Sequence, residues 1–505
     1  MNSISEGTYV QWVFNVRSDF SHTLNAHHEN GLHEVHPVIR ELAEERFNTL
    51  TKAIKENSLY RPELRIYLKT TSHFQKGGFS LKEKEFFSEK ASQHYGQTLE
   101  ILNQSLESLS SSLRTLGLES SPLSKKEIIE HIYALLNPKR SIEIPPPSII
   151  SSDSNELMSS PREQLVFGDL VLGFESFTLD SVLHRLITLK TLPETTYAGQ
   201  MASFLRLPFH YDLTLAFEVP SQTSEMAKLR QKQRMAHSLA VSHGGKATDL
   251  ESETKLSSTE ELMRELLSSG QRIYSMQLNI LLKAPNTLEG KQTLNRQVRE
   301  VLSRMRTLQG AEGLEETIGA WKILRGNLPA APMTLERAKK VKTNNLVDFL
   351  PVYGSREGDP NPIVLLRNRM TGLVSYDPFD SKLPNYNALV TGSSGAGKSF
   401  LNNCILLQEL ARGLRVFIID IGGSYKKLTK ALGGKYLEMD LSERHKLNPF
   451  DIPNPTKEPT NQKIKSLLAV IETMVSEDDK GHLPKLDRVL LEKAILELYR
   501  KKRLH

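Results

Sequence analysis

The chain has 505 residues, of which 38% are hydrophobic and 25% charged, a balance that excludes both an intrinsically disordered protein and a single ordinary domain. A net charge of +6 over that length permits contact with nucleic acid or an acidic membrane face and argues for neither. No apolar run approaches the roughly eighteen residues of a membrane span, no basic-then-apolar leader opens the chain, and the one cysteine, Cys404, excludes an intrachain disulfide framework, so a cytoplasmic location is the expectation.

In chain order, TYVQWVFNV is the first strand candidate. A helix follows with apolar residues three or four apart at Val38, Ile39, Leu42, Phe47, Leu50 and Ile54. Then PELRIYLKTTSHF alternates Leu64, Ile66, Leu68 in the manner of a half-buried strand. Residues 81–138 are helical in pattern, and the proline and serine-rich stretch at 141–164 reads as a linker. Strands return in QLVFGDLVLGFESFTLD, HRLITLKTLP, YDLTLAFEVP and RIYSMQLNILLKAP. Between the last two lie a basic helical run and Ser258 and Glu261 at capping-box spacing. Leu294, Val298, Val301, Leu302 and Met305 share one helical face. No fixed-period repeat is present, so the front of the chain reads as an α+β region in two parts, 1–140 and 165–330.

Residues 331–460 read differently. The short strands NPIVLLRNR, GLVSYDP and NALVTG lead into a glycine loop and a helix, followed by the strand RVFIID, a second helix and the strand KYLEMD. Continuous apolar strands alternating with helices predict a parallel sheet covered on both faces. From 461 to 505 the pattern is helical throughout.

The glycine loop carries the chemistry. Gly392, Ser393, Ser394, Gly395, Ala396, Gly397, Lys398 and Ser399 match G-x-x-x-x-G-K-[ST] in full, with a strand before and a helix after. The glycines let successive N–H groups turn inward on phosphate oxygens, and the helix start, with Phe400 next to it, adds its positive end. Lys398 is the point charge for the β- and γ-phosphates and Ser399 the hydroxyl ligand for Mg²⁺, so ATP with Mg²⁺ is the expected cofactor pair. Hydrolysis also needs a carboxylate on a neighbouring strand. Asp420, ending RVFIID, is the candidate, although it lies on the first strand after the loop helix and IGGSYKK supplies no adjacent glutamate. Nothing after Ser399 reads as four apolar residues followed by Asp-Glu.

Other constellations are read as structural. His22, His27, His28, His33 and His36 lack metal-site spacing and read as a solvated loop entering a helix. Cys404 reads as a packed small residue, and KLRQKQR (228–234) as a solvated helix face able to touch phosphate or an acidic partner.

VTGSSGAGKSF, RVFIIDIGGSYKKLTKALGGKYLEMD and LNPFD resemble the TraC-type ATPases of conjugative transfer and type IV secretion, and RIYLKTTSHF, HIYALLNP, QLVFGDLVL, HRLITLKTLP and LVDFLPVYGS resemble that family's N-terminal region. Beyond the loop, Asp420, Gly422 and Ser424 and the triplet Asn448-Pro449-Phe450 are its more specific marks. The resemblance implies an α+β N-terminal region followed by an incomplete α/β P-loop NTPase core of RecA-like type and the start of a helical insertion, the chain stopping before the family's further acidic motif. It implies an ATPase at the cytoplasmic face of the inner membrane, hexameric, working with type IV secretion channel subunits and with indirect DNA contact, to energise pilus assembly or substrate transfer. Two other readings stand beside it: a DNA-translocating motor of FtsK/HerA type, and a scaffold subunit that does not hydrolyse ATP.

Overall fold

The computed structural model describes residues 4–17, 20–31, 36–56, 58–70, 84–118, 120–148, 163–242, 250–329, 333–354, 357–368, 371–438, 448–452, 459–475 and 483–502. The chain divides into two compact units, Met1–Val416 and Phe417–His505.

The first unit is organised by a nine-stranded sheet in the order β2-β1-β6-β7-β5-β4-β3, with β8 on β5 and β9 on β7. Its strands are β1 Thr8–Arg17, β2 Arg61–Thr70, β3 Leu170–Leu172, β4 Phe177–Leu179, β5 Val182–Thr191, β6 Tyr211–Glu218, β7 Ile273–Pro285, β8 Glu312–Glu316 and β9 Lys339–Lys342. All its pairings are antiparallel. One sheet therefore takes strands from both sides of the 141–164 stretch and a further one from 339–342; residues 149–162 of that stretch lie outside the described residues.

Alternation along the strands sorts side chains between two faces. One face is apolar: Val10, Trp12, Phe14 and Val16 of β1, Leu213, Leu215 and Phe217 of β6, and Tyr274, Met276, Leu278, Ile280 and Leu282 of β7 form the main core. Helix α7 (Leu288–Arg306) covers it with Leu294, Val298, Val301 and Met305, the face expected from the sequence, and Leu302 packs at its edge. Thr287 starts that helix by accepting the Gly290 N–H on its hydroxyl. Leu346 and Phe349, of and just after α9 (Thr343–Asp348), complete the layer.

The opposite face is buried as well and mixes polar side chains with an apolar cluster of Phe177, Leu179, Leu186 and Leu281 on Ala320 and Ile323 of α8 (Ala320–Gly326). Gln11, Asn15, Thr188, Gln277 and Asn279 are almost fully enclosed. They lie under α4 (Lys125–Leu136), α8 and the chain that follows α8. Buried polar groups must find partners. Asn15 Nδ2 donates to Asp212 Oδ1 at 2.5 Å, Lys283 Nζ donates to Asp212 Oδ2 at 2.5 Å, and Gln11 Nε2 donates to the Asn327 carbonyl at 2.5 Å. Buried Glu316 accepts from Thr188 Oγ1 (2.6 Å) and from Arg337 Nε and Nη2 (2.7 and 2.9 Å), which ties the segment leading into β9 to the sheet.

Helices α1 (Ser21–Gly31), α2 (Pro37–Lys55) and α3 (Lys84–Thr115) complete the N-terminal part, and α5 (Gln222–Ser242) and α6 (Leu250–Ser268) pair after β6. Three expectations need correction here. His22, His27 and His28 belong to α1 rather than to a loop; His36 stands at the N-cap position of α2 without a side-chain capping bond, and His33 lies outside the described residues. Ser258 is interior to α6, which begins at Leu250, so it is not an N-cap. The parallel sheet expected after 331 is not formed among the described residues. NPIVLLRNR and GLVSYDP pair as the antiparallel hairpin β10 (Val364–Arg367) and β11 (Leu373–Tyr376), whose connecting turn is too short for a parallel crossover. Residues 387–392, 415–420 and 435–438 take no regular secondary structure, and Leu389 and Phe417 are each 89% exposed and Ile421 fully so. Apolar character signals where a strand would be buried but does not supply its neighbours.

In the second unit α11 (Lys426–Ala431) precedes the pair α12 (Asn461–Val475) and α13 (Lys485–Lys502). Ile464, Leu467, Leu468, Ile495 and Tyr499 form their core. The Asn448-Pro449-Phe450 triplet is a turn closed by Asn448 Oδ1 on the Phe450 N–H (3.1 Å); Phe450 packs on Tyr499, whose hydroxyl donates to the Phe450 carbonyl at 2.5 Å.

Burial would raise the Asp212 carboxyl, but Lys283, Asn15 and Arg17 outweigh it and hold the group at about 2, below its usual 3.8. Because the folded value lies below the unfolded one, this stabilisation is complete above about pH 4 and is lost as the pH falls through about 2, and it amounts to about 2 kcal/mol. Asp212→Asn is expected to cost about 3–5 kcal/mol at pH 7, since it leaves Lys283 without its carboxylate. Urea unfolding at pH 6 and pH 3 should show the wild type losing more stability on acidification than the variant; equal losses would refute the assignment.

Candidate functional site

The loop helix α10 runs from Lys398 to Leu410. Its C-terminal half is built into the first unit by an apolar-faced contact with one polar lock. Phe20, Leu24 and Leu59 pack with Leu365 and Leu373 of the hairpin, supported by Phe47, Leu50, Ala53 and Ile54 of α2. Leu407, Gln408, Ala411 and Arg412 then line a water-sized cavity with His27, Arg46 and Phe47. Gln408 is 5% exposed; its Oε1 accepts the Leu365 N–H at 2.9 Å and its Nε2 donates to the Cys404 carbonyl at 2.9 Å. His27 Nδ1 lies 2.8 Å from the Pro362 carbonyl, and His28 stacks on Phe47 at 4.3 Å. Burial lowers the pKa of both His27 and Arg46. Glu409 is also buried, which pushes its carboxyl upward, with Arg412 opposing and Asp377 adding to the rise.

At the start of α10 residues 399–401 are exposed, and the loop before it is exposed from residue 381 through 397. Gly395 and Gly397 take φ values of +77° and +89°, the left-handed region that side chains avoid. A Cβ at either would meet no atom within 4 Å, so the requirement there is conformational. At Gly392 it is spatial: a Cβ would come within 3.3 Å of Ala396 Cβ and 3.5 Å of Lys398 Cγ. Ala396 N–H closes a turn on the Ser393 carbonyl at 3.2 Å, and Lys398 Nζ donates to the carbonyls of Gly392 (2.8 Å) and Ser393 (2.9 Å). The ammonium is thereby held across the loop, while Ser399 and Phe400 stand exposed on the first turn of α10. First-turn N–H groups have no intrahelical acceptor, so this end of the helix presents donors, partial positive charge and one hydroxyl to the same open space.

The structure thus brings Gly392 through Phe400 together in one loop and helix start. Asp420 belongs to the second unit, where its Oδ2 accepts the Tyr425 N–H at 3.1 Å across a turn with Gly422 and Gly423 at φ +123° and +75°. Cys404 is partly buried on α10. Reasoning from sequence missed Gln408, whose signal was available: a polar residue at i+4 from Cys404 and i−3 from Ala411, on the helix face that packs. Gln408→Leu removes the acceptor of a buried N–H and is expected to cost about 1–3 kcal/mol of stability, whereas Lys398→Ala at the exposed loop should leave the melting midpoint within experimental error. Thermal melts of the two variants side by side check this.

Residues 369–505 match the model of the TraG P-loop domain, which contains the loop and α10. Over 66 residues the chain is 39% identical to Protein TraC of Escherichia coli (strain K12), a stretch amounting to 13% of this chain and 7% of that protein. The match to that curated relative thus spans well under two thirds of its length. Residues 3–308, more than half of the chain and the greater part of the nine-stranded sheet, match the model of the TraC protein, and the chain belongs to the TraC family.

Proposed function

We propose that this chain is the ATP-binding part of a conjugative-transfer, type IV secretion ATPase. The observation that carries the reading is the loop itself: Gly395 and Gly397 in the left-handed region at the start of α10, inside the segment that matches a P-loop domain. The residues fit a magnesium nucleotide. The open loop offers backbone donors, Lys398 already spans it through hydrogen bonds to two loop carbonyls that a phosphate oxygen can replace, and Ser399 is exposed where a metal ligand is needed. Bound Mg²⁺ would neutralise phosphate charge. In this reading Lys398 holds the β- and γ-phosphates, the amides of residues 393–400 orient them, and Ser399 holds the metal. Asp420 is the carboxylate assigned to the reaction from sequence.

The reading extends to a RecA-like core, a hexameric assembly, partners among the type IV secretion channel subunits, and a place at the cytoplasmic face of the inner membrane where pilus assembly or substrate transfer is energised. It is supported by the TraC and TraG matches. Among the described residues no helix is long and apolar enough to cross a membrane, which is compatible with peripheral attachment.

Titration with a fluorescent ATP analogue tests the reading. The wild-type chain should bind it in a magnesium-dependent manner. Lys398→Ala should abolish binding, and Ser399→Ala should remove most of its dependence on magnesium, each with an unchanged circular dichroism spectrum. Equal binding by wild type and Lys398→Ala would refute it.

A further inference from the structure

Remote from the loop in sequence, α5, α6, β9, α9 and residues 192–196 enclose a cavity of ≈ 450 Å³. That is within the roughly 300–1,000 Å³ range of small-molecule sites. Its floor is apolar, made by Leu229, Leu262, Ile273, Val341 and Phe349, the last three continuous with buried residues of the sheet layer. Its charged lining is Lys228, Lys232, Lys340 and Lys342, with Glu225 and Glu194 as the acidic members.

These lysines are not ordinary swaying surface groups. Glu225, only 6% exposed, takes Lys228 at 2.8 Å and Lys340 at 3.0 Å. Lys340 is fixed a second time by donating to Ser275 Oγ at 2.8 Å. Glu265 holds Lys342 at 2.7 and 2.6 Å. Lys232, one turn along α5 from Lys228, has no acidic partner among the described residues. A buried carboxylate that gathers two ammonium groups at one edge, with a third left uncompensated beside them, is a pre-organised receptor for negative charge. On the side wall, Asn345 Nδ2 donates to Thr196 Oγ1 at 2.8 Å, which fixes the orientation of an amide whose oxygen remains an acceptor.

We propose that this cavity binds a small anionic amphiphile, its compact apolar body on the Leu229–Phe349 floor and its phosphate or carboxylate head among Lys228, Lys232 and Lys340. The basic run KLRQKQR is then divided by the helix period: Lys228, Leu229 and Lys232 face the cavity, and Arg230 and Arg234 do not line it. The assignment is independent of nucleotide binding at the loop.

The test uses the full chain and 1-anilinonaphthalene-8-sulfonate, which has a flat apolar body and one fixed negative charge. Fluorescence titration and calorimetry should give one saturable site. Lys232→Glu disturbs no contact among the described residues; it should raise the Kd about tenfold or more, because it replaces an attracting charge by a repelling one. Leu229→Trp, which fills the floor, should abolish the site. Displacement by octyl phosphate ahead of octanoate would identify a phosphate head, and the reverse order a carboxylate head. Displacement by neither at millimolar concentration overturns the proposal. So does probe binding that Lys232→Glu leaves unchanged in a protein of normal melting behaviour, since the probe would then be held on other apolar surface.

Discussion

β1 is the strand on which the first unit depends. Its ten residues pair along one edge with β2, and seven of them, Tyr9 to Asn15, pair along the other with β6, with Asn15 and Asp212 meeting across 197 positions of sequence. Closing a loop of that length costs chain entropy that grows slowly with its size, and the apolar row Val10, Trp12, Phe14 and Val16 offsets it by burial on α7's side of the sheet. The same alternation forces Gln11 and Asn15 to the other side. Because that side is covered too, their amide nitrogens find acceptors there, Asn15 Nδ2 in the Asn15–Asp212–Lys283 chain and Gln11 Nε2 on the Asn327 carbonyl, while Gln11 Oε1 and Asn15 Oδ1 are buried without a hydrogen-bond partner among the described residues. A slip of one residue would exchange the two rows and leave both faces wrong.

The start of the chain also sets the candidate site. α1 and α2 carry the β10–β11 hairpin on an apolar cluster, and Gln408 fastens the back of α10 to that hairpin. A helix held at its C-terminal half with its first turn exposed at residues 399–401 is rigid where it must be aimed and open where a ligand must enter. Lys398 closes the front of the loop by two hydrogen bonds, both to carbonyls of the loop itself.

How far all this could be read from sequence follows from the physics of each element. The strands β1, β2, β5, β6 and β7 and the buried face of α7 were legible because a period of two or of 3.6 is imposed by one apolar layer. The loop was legible for a different reason: the φ values at Gly395 and Gly397 are ones that few residues but glycine adopt, so the motif records backbone geometry directly. The burial of the polar face was not legible, since alternation with Gln11, Asn15 and Asn279 reads as half exposure and only tertiary coverage shows otherwise. The α1 histidines misled by composition: three of them lie on a helix that packs against α2 and the hairpin. Ser258 and Glu261 misled by spacing, a capping pattern inside a helix that had begun eight residues earlier.

The contrast between β1 and the apolar run at 417–421 shows what makes an apolar run a strand. Val10, Trp12 and Phe14 are at most 3% exposed because β2 and β6 satisfy the backbone on both edges and α7's layer covers the side chains. Phe417, Ile419 and Ile421 form a run of comparable apolarity and are 86–100% exposed, with no strand alongside them among the described residues. Burying one such side chain is worth roughly 1.5–3 kcal/mol, and an unpaired backbone donor or acceptor could not accompany it into an apolar interior without losing a comparable amount. Side-chain burial and edge pairing therefore come together or not at all. The run at 417–421 has the first requirement written in its sequence, and no strand among the described residues supplies the second.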